Sequence, residues 1–432
     1  MGKKTAPSSS NGSNKEPSNN KSSSSSLISM IINLVTVVYT SGFVSFRIVE
    51  IASLTALFPM QVLTSFVACI FMMKVAKVPW SLLAILSMAA LVWITDDYIL
   101  EPIPSSQQHM VVVITGANSG VGFETAKALA QNENPVTVIM GCRSVTKCQA
   151  AAETIRATTT SSSRDTNVIP LQLDLSSFES VHRFVDSVKV ATFGLPVDVL
   201  FNNAGYVPFE KVETPNEYGL DPSFTSMHLS HHLLAELLVK QNPRLRLVAT
   251  SSGTHHTCAM NTLLPKQLHN VVGLTNAPGC IDRSYLATNI YSATNDDKYI
   301  VAKMANVLHV SEFPRRHPSS TSIAIDLGWV GTSIQPWMSG QITPTSLGWM
   351  RSARVGIYPM LQAILQPFPQ ENRNWSQQGG VTIDTLGNIR EPFSYPWWRG
   401  DASPETMKVV SKELWTKSTE ILQQQGGCTV CQ

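Results

Sequence analysis

The segment VVVITGANSGVGFETAKALA, from Val111 to Ala130, constrains the fold of this 432-residue chain more than any other. Its β-branched opening run reads as a strand buried on both faces, glycines break it at a tight turn, and a helical pattern follows at once. Gly116, Gly120 and Gly122 stand where a backbone must turn sharply or approach an anion too closely for a Cβ. The helix behind them presents unpaired N–H groups to such an anion. A strand, a glycine-rich turn and a helix in this order make a candidate cradle for the pyrophosphate of a dinucleotide.

From Met110 onward, short β-rich runs alternate with amphipathic ones: VVVIT, VTVIMG from Val136, VIPLQL from Val168, VDVLFN from Val197, RLRLVATS from Arg244 and TSIAID from Thr321. Apolar runs of this length, separated by helical segments, predict a parallel sheet covered on both faces. The expected architecture is doubly wound α/β, the Rossmann arrangement, over residues 110–425. At the end of the second run the chain reads GCRSVTK, with Arg143, Ser144 and Lys147. An acidic residue there would suit the ribose 2′-hydroxyl of NAD, whereas arginine suits a 2′-phosphate, so NADP(H) is favoured.

The preceding hundred residues have another character. Residues 1–26 are Ser, Asn and Lys with almost no large apolar side chains, a composition predicting disorder. Three apolar stretches follow within residues 27–95, starting at Leu27, Ile51 and Trp80, and the middle one carries no charge over a length sufficient to span a bilayer as a helix. They predict a membrane anchor, and the lysine distribution fits three crossings with the rest of the chain on the side opposite the N-terminus. Losing one crossing inverts that sidedness. Residues 426–432 are expected to be a mobile tail. The formal net charge of +2 argues against a nucleic-acid partner. The seven cysteines are odd in number and irregular in spacing, which reads as no disulfide framework and a reducing compartment.

Hydride transfer to or from a carbonyl needs a proton donor or acceptor beside the oxygen, and a phenol with a pKa near 10 is a poor base at neutral pH. A lysine at i+4 presents its ammonium on the same helix face and favours phenolate. Tyr299 and Lys303 have this spacing, and a serine from LVATSSGTHH would steady the oxygen. Tyr291, followed at i+4 by Asn295, lacks the charge.

TGANSGVG, LDLSS, NNAG and YIVAK occur in this order, and together they resemble the short-chain dehydrogenase/reductase superfamily, most of all its retinol-dehydrogenase-like members. The resemblance runs from about Met110 to Leu422 and includes SKELWTKSTEIL, which is similar to the terminal helix of that subgroup. It implies a catalytic set of Ser252, Tyr299 and Lys303. It also implies cofactor contacts from Gly116, Asn118, Ser119, Gly120, Val121, Gly122, Arg143, Ser144, Asp174, Leu175, Asn202, Ala204, Gly205, Tyr299, Lys303, Val330 and Thr332. In this pattern Asp174 meets adenine, NNAG supports the sheet beside the cofactor, and Thr332 lies near the carboxamide. Two positions depart from it. Leu327 replaces the usual proline of the late loop, and MHLSHH stands where relatives read NHLGHF, so Met227 replaces an asparagine that supports a proton relay.

His228 and His231 are expected to pack as their counterparts do, and His255 and His256 give no complete metal set. The segment from Cys258 to Lys298 should form a loop or lid over the substrate mouth, and the counterpart of the family's variable lid should run from Ile334 to about Pro369, as an apolar substrate entrance or an ordinary packed subdomain. The reading is a membrane-anchored, NADP(H)-dependent oxidoreductase interconverting a lipophilic alcohol and its aldehyde or ketone. Its partners are membrane lipid and a retinoid, steroid or lipid substrate, with homo-oligomerisation open. A protochlorophyllide-reductase-like enzyme and a catalytically impaired NADP(H)-binding scaffold are the alternatives. The endoplasmic reticulum membrane is the first expectation for location and a plastid membrane the second.

Overall fold

A computed structural model describes residues 109–132, 135–159, 167–207, 215–252, 296–328, 330–332, 351–366, 374–383, 389–392 and 404–428. The chain divides into a unit of Met1–Trp93 and a unit of Ile94–Gln432, and every described residue belongs to the second. The Ser/Asn/Lys-rich segment, the three apolar stretches, His255 and His256 and the first lid up to residue 295 lie outside the described residues, and the last three residues expected in that lid instead begin a helix, Asp296–Arg316. No helix among the described residues is long and apolar enough to cross a membrane.

The six apolar runs form the six central strands: β1 (Met110–Thr115), β2 (Val136–Cys142), β3 (Asn167–Gln172), β4 (Val199–Asn202), β5 (Arg246–Thr250) and β6 (Thr321–Ile325). They pair in parallel in the order 3-2-1-4-5-6, and the chain reverses direction of winding between β1 and β4. That reversal opens a crevice at the carboxyl ends of the strands, where folds of this type bind ligands. Beyond β6 the sheet gains β9 (Val381–Ile383), parallel, and β10 (Ile389–Arg390), antiparallel to β9. A separate two-stranded ladder joins β7 (Val330–Gly331) to β8 (Arg351–Ser352).

Helices cover both faces. On one side α1 (Gly120–Ala130) and α2 (Val145–Thr158) bury Leu129, Ala152 and Ile155 against Val112, Ile114, Val138 and Met140 of the sheet. On the other, α3 (Phe178–Ala191), α4 (Ser230–Val239) and α5 (Asp296–Arg316) pack on Val111, Val113, Ile139 and Leu200. Alternate residues of β1 therefore serve opposite cores, as the period of two requires. Two later helices are α6 (Tyr358–Leu365) and α7 (Pro404–Gln424); the latter buries Leu414 and Trp415. Arg246 of β5, half-buried, donates to the carbonyls of Ala363, Ile364 and Gln366 and so closes the end of α6 with a positive charge.

Two sequence expectations change here. Cys142, at the end of β2, and Cys148, in the first half of α2, are disulfide-bonded with Cα atoms 5.9 Å apart, although the cysteine spacing suggested no framework. Strand end and helix are brought together by the fold, which spacing alone does not report. At the other end, Gly427 and Cys428 are not a free tail: His182 Nε2 bonds the Gly427 carbonyl at 2.5 Å, and Cys428 is buried. A Cβ on Gly427 would lie 2.9 Å from the Phe178 ring, so any tail starts after Cys428.

Candidate active site

The glycine turn follows β1 directly. Gly116 and Gly120 have φ of 67° and 57°, in the left-handed region that favours glycine. A Cβ on Gly116 would lie 2.9 Å from Ala204 Cα, so the NNAG turn packs against the bare glycine backbone. A Cβ on Gly122 would lie 2.6 Å from both Asn203 Nδ2 and the Gly116 carbonyl. Helix α1 starts at Gly120 with no side-chain cap from Ser119 and no acidic residue in its first turn. An 11-residue helix with an uncapped positive end beside a glycine turn fits a pyrophosphate. Gly120 also faces Thr332, whose Cβ would be 3.4 Å from an added methyl, so the late loop reaches the glycine turn. Val330 is turned against Gly356.

At the end of β2, Arg143 is exposed and Ser144 caps α2, its hydroxyl accepting from Lys147 N at 3.4 Å. The flanking disulfide closes this loop on itself. Asp174 Oδ1 accepts from the amide and hydroxyl of Ser176 at 2.9 and 2.7 Å, and the buried Leu175 gives its carbonyl to Ser230. Asn118 is half-buried and Val121 buried at the base of α1. Turn, helix end, exposed guanidinium and Asp174 lie at the carboxyl ends of β1, β2 and β3, an arrangement that fits a phosphorylated dinucleotide.

Ser252 lies just past β5, and Tyr299 and Lys303 lie on α5. Ser252 and Tyr299 share a side-chain hydrogen bond. Tyr299 keeps part of its surface exposed, yet burial pushes its phenol up to about 12; the Ser252 bond opposes this, and the charge of Asp326 adds to it. Lys303 is buried beneath it, with Nζ 5.4 Å from the Tyr299 ring centre and donating to the Thr250 carbonyl at 3.1 Å. Burial lowers its pKa to about 8. The same carbonyl accepts from Asn306 Nδ2 at 3.1 Å, and Ser251 Oγ donates to the Lys303 carbonyl at 3.2 Å, so strand end and helix are tied at the lysine. The structure thus unites the three residues expected to act together.

One supporting residue, Thr115, was not singled out from the sequence, whereas His228 and His231 are packed in the interior as expected. Thr115 Oγ1 receives the amides of Asn203 and Ala204, each at 2.9 Å, and lies 2.9 Å from His231 Nε2. With both lone pairs taken, the Thr115 hydroxyl must donate to His231, which places the imidazole proton on Nδ1. That Nδ1 then donates to the Met227 carbonyl at 3.1 Å. His231 thereby pins the Met227 turn, a π-helical turn over Thr225–Leu229, to the end of β1. His228 is also buried and bonds Ser418 of α7 at 2.9 Å. No group of three His, Cys, Asp or Glu among the described residues could hold a metal ion.

The short chain dehydrogenase family model matches residues 110–259. A protochlorophyllide reductase of Avena sativa is 34% identical over 221 residues, covering 49% of this chain and 68% of that protein. The chain belongs to the short-chain dehydrogenase family. A chloroplastic protochlorophyllide reductase of Cucumis sativus is 34% identical over 284 residues, 64% of each chain, and one of Hordeum vulgare is 33% identical over 221 residues, 55% of its length. The match to the Cucumis sativus protein thus falls just short of two thirds of its length. A solved structure of NADPH-bound carbonyl reductase from chicken fatty liver aligns over 65% of this chain and 98% of that one, with 18% identity and a TM-score of 0.45. The family model and the sequence relatives place the chain among short-chain dehydrogenase oxidoreductases. Those reported by sequence are protochlorophyllide reductases rather than the retinol-dehydrogenase-like members expected from the motifs.

Proposed function

We propose that this chain is a membrane-anchored, NADP(H)-dependent oxidoreductase that interconverts a lipophilic alcohol and its aldehyde or ketone. The observation that carries the reading is the hydrogen bond between Ser252 and Tyr299 with Lys303 buried beneath. Two hydroxyls meeting at one point suit a substrate oxygen, which can accept from both. NADPH, when bound, supplies the hydride to the carbonyl carbon. Tyr299 gives its proton to the oxygen as charge develops there, and Ser252 holds that oxygen by donating to it. The Lys303 ammonium stabilises the phenolate left behind. In the reverse direction the phenolate accepts the alcohol proton.

Arg143 is the residue proposed to select NADP(H), through the 2′-phosphate. Arg143→Ala is expected to raise the dissociation constant for NADPH roughly 10- to 100-fold, within the range of a charge-assisted phosphate contact, and to leave that for NADH almost unchanged. Titration calorimetry with both nucleotides checks this.

The apolar stretches within residues 27–95 are proposed as the anchor, bringing the site to a bilayer in which oily substrates dissolve. A second reading has a specific basis: the relatives are protochlorophyllide reductases, most of them named as chloroplastic, which favours reduction of a carbon–carbon double bond and a plastid membrane. Purified protein in detergent, given NADPH and either a panel of lipophilic aldehydes and ketones or protochlorophyllide, separates the two. Turnover of carbonyls alone supports the first reading and turnover of protochlorophyllide alone the second. NADPH binding without turnover of either would leave the scaffold alternative.

A further inference from the structure

Met227 is fully buried, and Lys303 is 2% exposed. A methyl group on Gly205 would lie 3.4 Å from Met227 Sδ and 3.4 Å from Lys303 Nζ, so thioether and ammonium close on the same point of the NNAG turn. The Met227 backbone is held there by His231, which is itself fixed by Thr115. Among the described residues the Lys303 ammonium has one hydrogen bond, to the Thr250 carbonyl, and no carboxylate pairs with it. An ammonium has three donors, and a thioether is at best a weak acceptor. The asparagine that stands at this position in the NHLGHF pattern would offer an amide oxygen and room for water.

We propose that Met227 controls the charge state of Lys303 by sealing its ammonium from water, and so sets the alkaline limit of the reaction. Met227 is in this sense a positioning residue, acting on the reacting atoms only through the lysine. The titratable groups facing Lys303 are few. Tyr299 shares its helix, and His231, from α4, stays neutral because burial, with the Lys303 charge as a smaller contributor, lowers its pKa to about 4. Asp326, after β6, acts on Tyr299. None of them offers the ammonium a negative partner in the resting protein. Burial therefore goes uncompensated, in line with the lowered lysine pKa of about 8. As pH rises through that value the charge that favours phenolate is lost, so reduction slows on the alkaline side.

The inference rests on the proposed roles of Tyr299 and Lys303, but its test does not require turnover. In the full chain labelled with 13C at lysine Cε, the Lys303 resonance, assigned by its disappearance in Lys303→Met, is titrated in the cofactor-free protein. Met227→Asn is expected to raise the midpoint by about one pH unit, and Met227→Leu, equally apolar, to leave it near the wild-type value. The alkaline limb of kcat should move with the midpoint. An unchanged midpoint in Met227→Asn, or an equal rise in Met227→Leu, overturns the proposal. Should Met227→Asn fail to fold, Met227→Gln, closer in volume, carries the same expectation. A shifted midpoint in a protein that turns over no substrate would uphold the link between Met227 and Lys303 while rejecting the catalytic reading.

Discussion

Tyr299→Phe is expected to lower kcat/KM for NADPH-driven carbonyl reduction by about 10³-fold, the middle of the range for a lost general acid. The change removes one oxygen and keeps the ring against which Lys303 Nζ sits 5.4 Å from the centre, so the fold around the lysine should persist. Ser252 remains and can still donate to the substrate oxygen, but a lone alcohol bond cannot deliver the proton that the alkoxide needs. The loss should therefore fall on kcat, with NADPH affinity changed no more than about twofold, because the step removed is made only in the transition state. Steady-state kinetics with a responsive carbonyl substrate, alongside nucleotide binding by fluorescence, reads both quantities. A variant retaining a tenth or more of the wild-type rate would remove Tyr299 from the role of acid. Ser252→Ala should be milder, roughly 10- to 100-fold as for one lost hydrogen bond to a developing charge, since it weakens the hold on the oxygen without removing the proton source.

The sheet was legible from the sequence because strands buried on both faces must be continuously apolar, and all six such runs became strands. β9 escaped because Val381–Ile383 is three residues long, too short for any period. What places it is the preceding Gly379 and Gly380. A Cβ on Gly379 would come within 2.3 Å of the Ser311 carbonyl, and one on Gly380 within 2.4 Å of the Val310 carbonyl. The bare backbone therefore lies directly on α5, a long-range contact with no local signature. The proposed catalytic trio was legible for a different reason. The i+4 spacing of Tyr299 and Lys303 is local chemistry on one helix, whereas Ser252 needed the family register and lies on another element. Thr115 and His231 are 116 residues apart, and their bond becomes visible only when β1 and α4 meet. Sequence showed Met227 as a missing asparagine; only packing shows that it closes on the lysine.

The same packing predicts that acid should unfold this domain steeply. His228, His231, His232 and His309 are all buried, and His228 Nδ1, His232 Nδ1 and His309 Nε2 have no hydrogen-bond partner. The rings of His232 and His309 lie 4.8 Å apart and both lie against Trp415, His232 edge-on at 4.5 Å and His309 tilted at 5.0 Å, between α4, α5 and α7. Burial is the largest influence on each and holds His231 and His232 at about 4, below the ordinary value of 6.5. His228 and His309 are lowered well below that value, with repulsion from neighbouring histidines adding to burial. The charged groups near the cluster pull in opposite senses: Glu236 raises His232, whereas Arg316 and His317 lower it. A histidine whose folded pKa is depressed contributes stability that is fully present above about 6.5 and is lost as pH falls toward its folded value. Each such group takes up a proton only on unfolding and contributes about 1.4 kcal/mol per pH unit in that window. Four of them should lower the unfolding free energy by roughly 5 kcal/mol between pH 7.5 and pH 5.5, which is comparable to the whole stability of many domains. Urea midpoints measured across this range test the expectation at constant slope. His232→Phe, restoring the aromatic residue of the NHLGHF pattern, should remove about a quarter of the drop, since one proton fewer is bound on unfolding. A midpoint independent of pH between 7.5 and 5.5 would mean that the histidines already bind protons in the folded state, which three buried, unpartnered ring nitrogens do not allow.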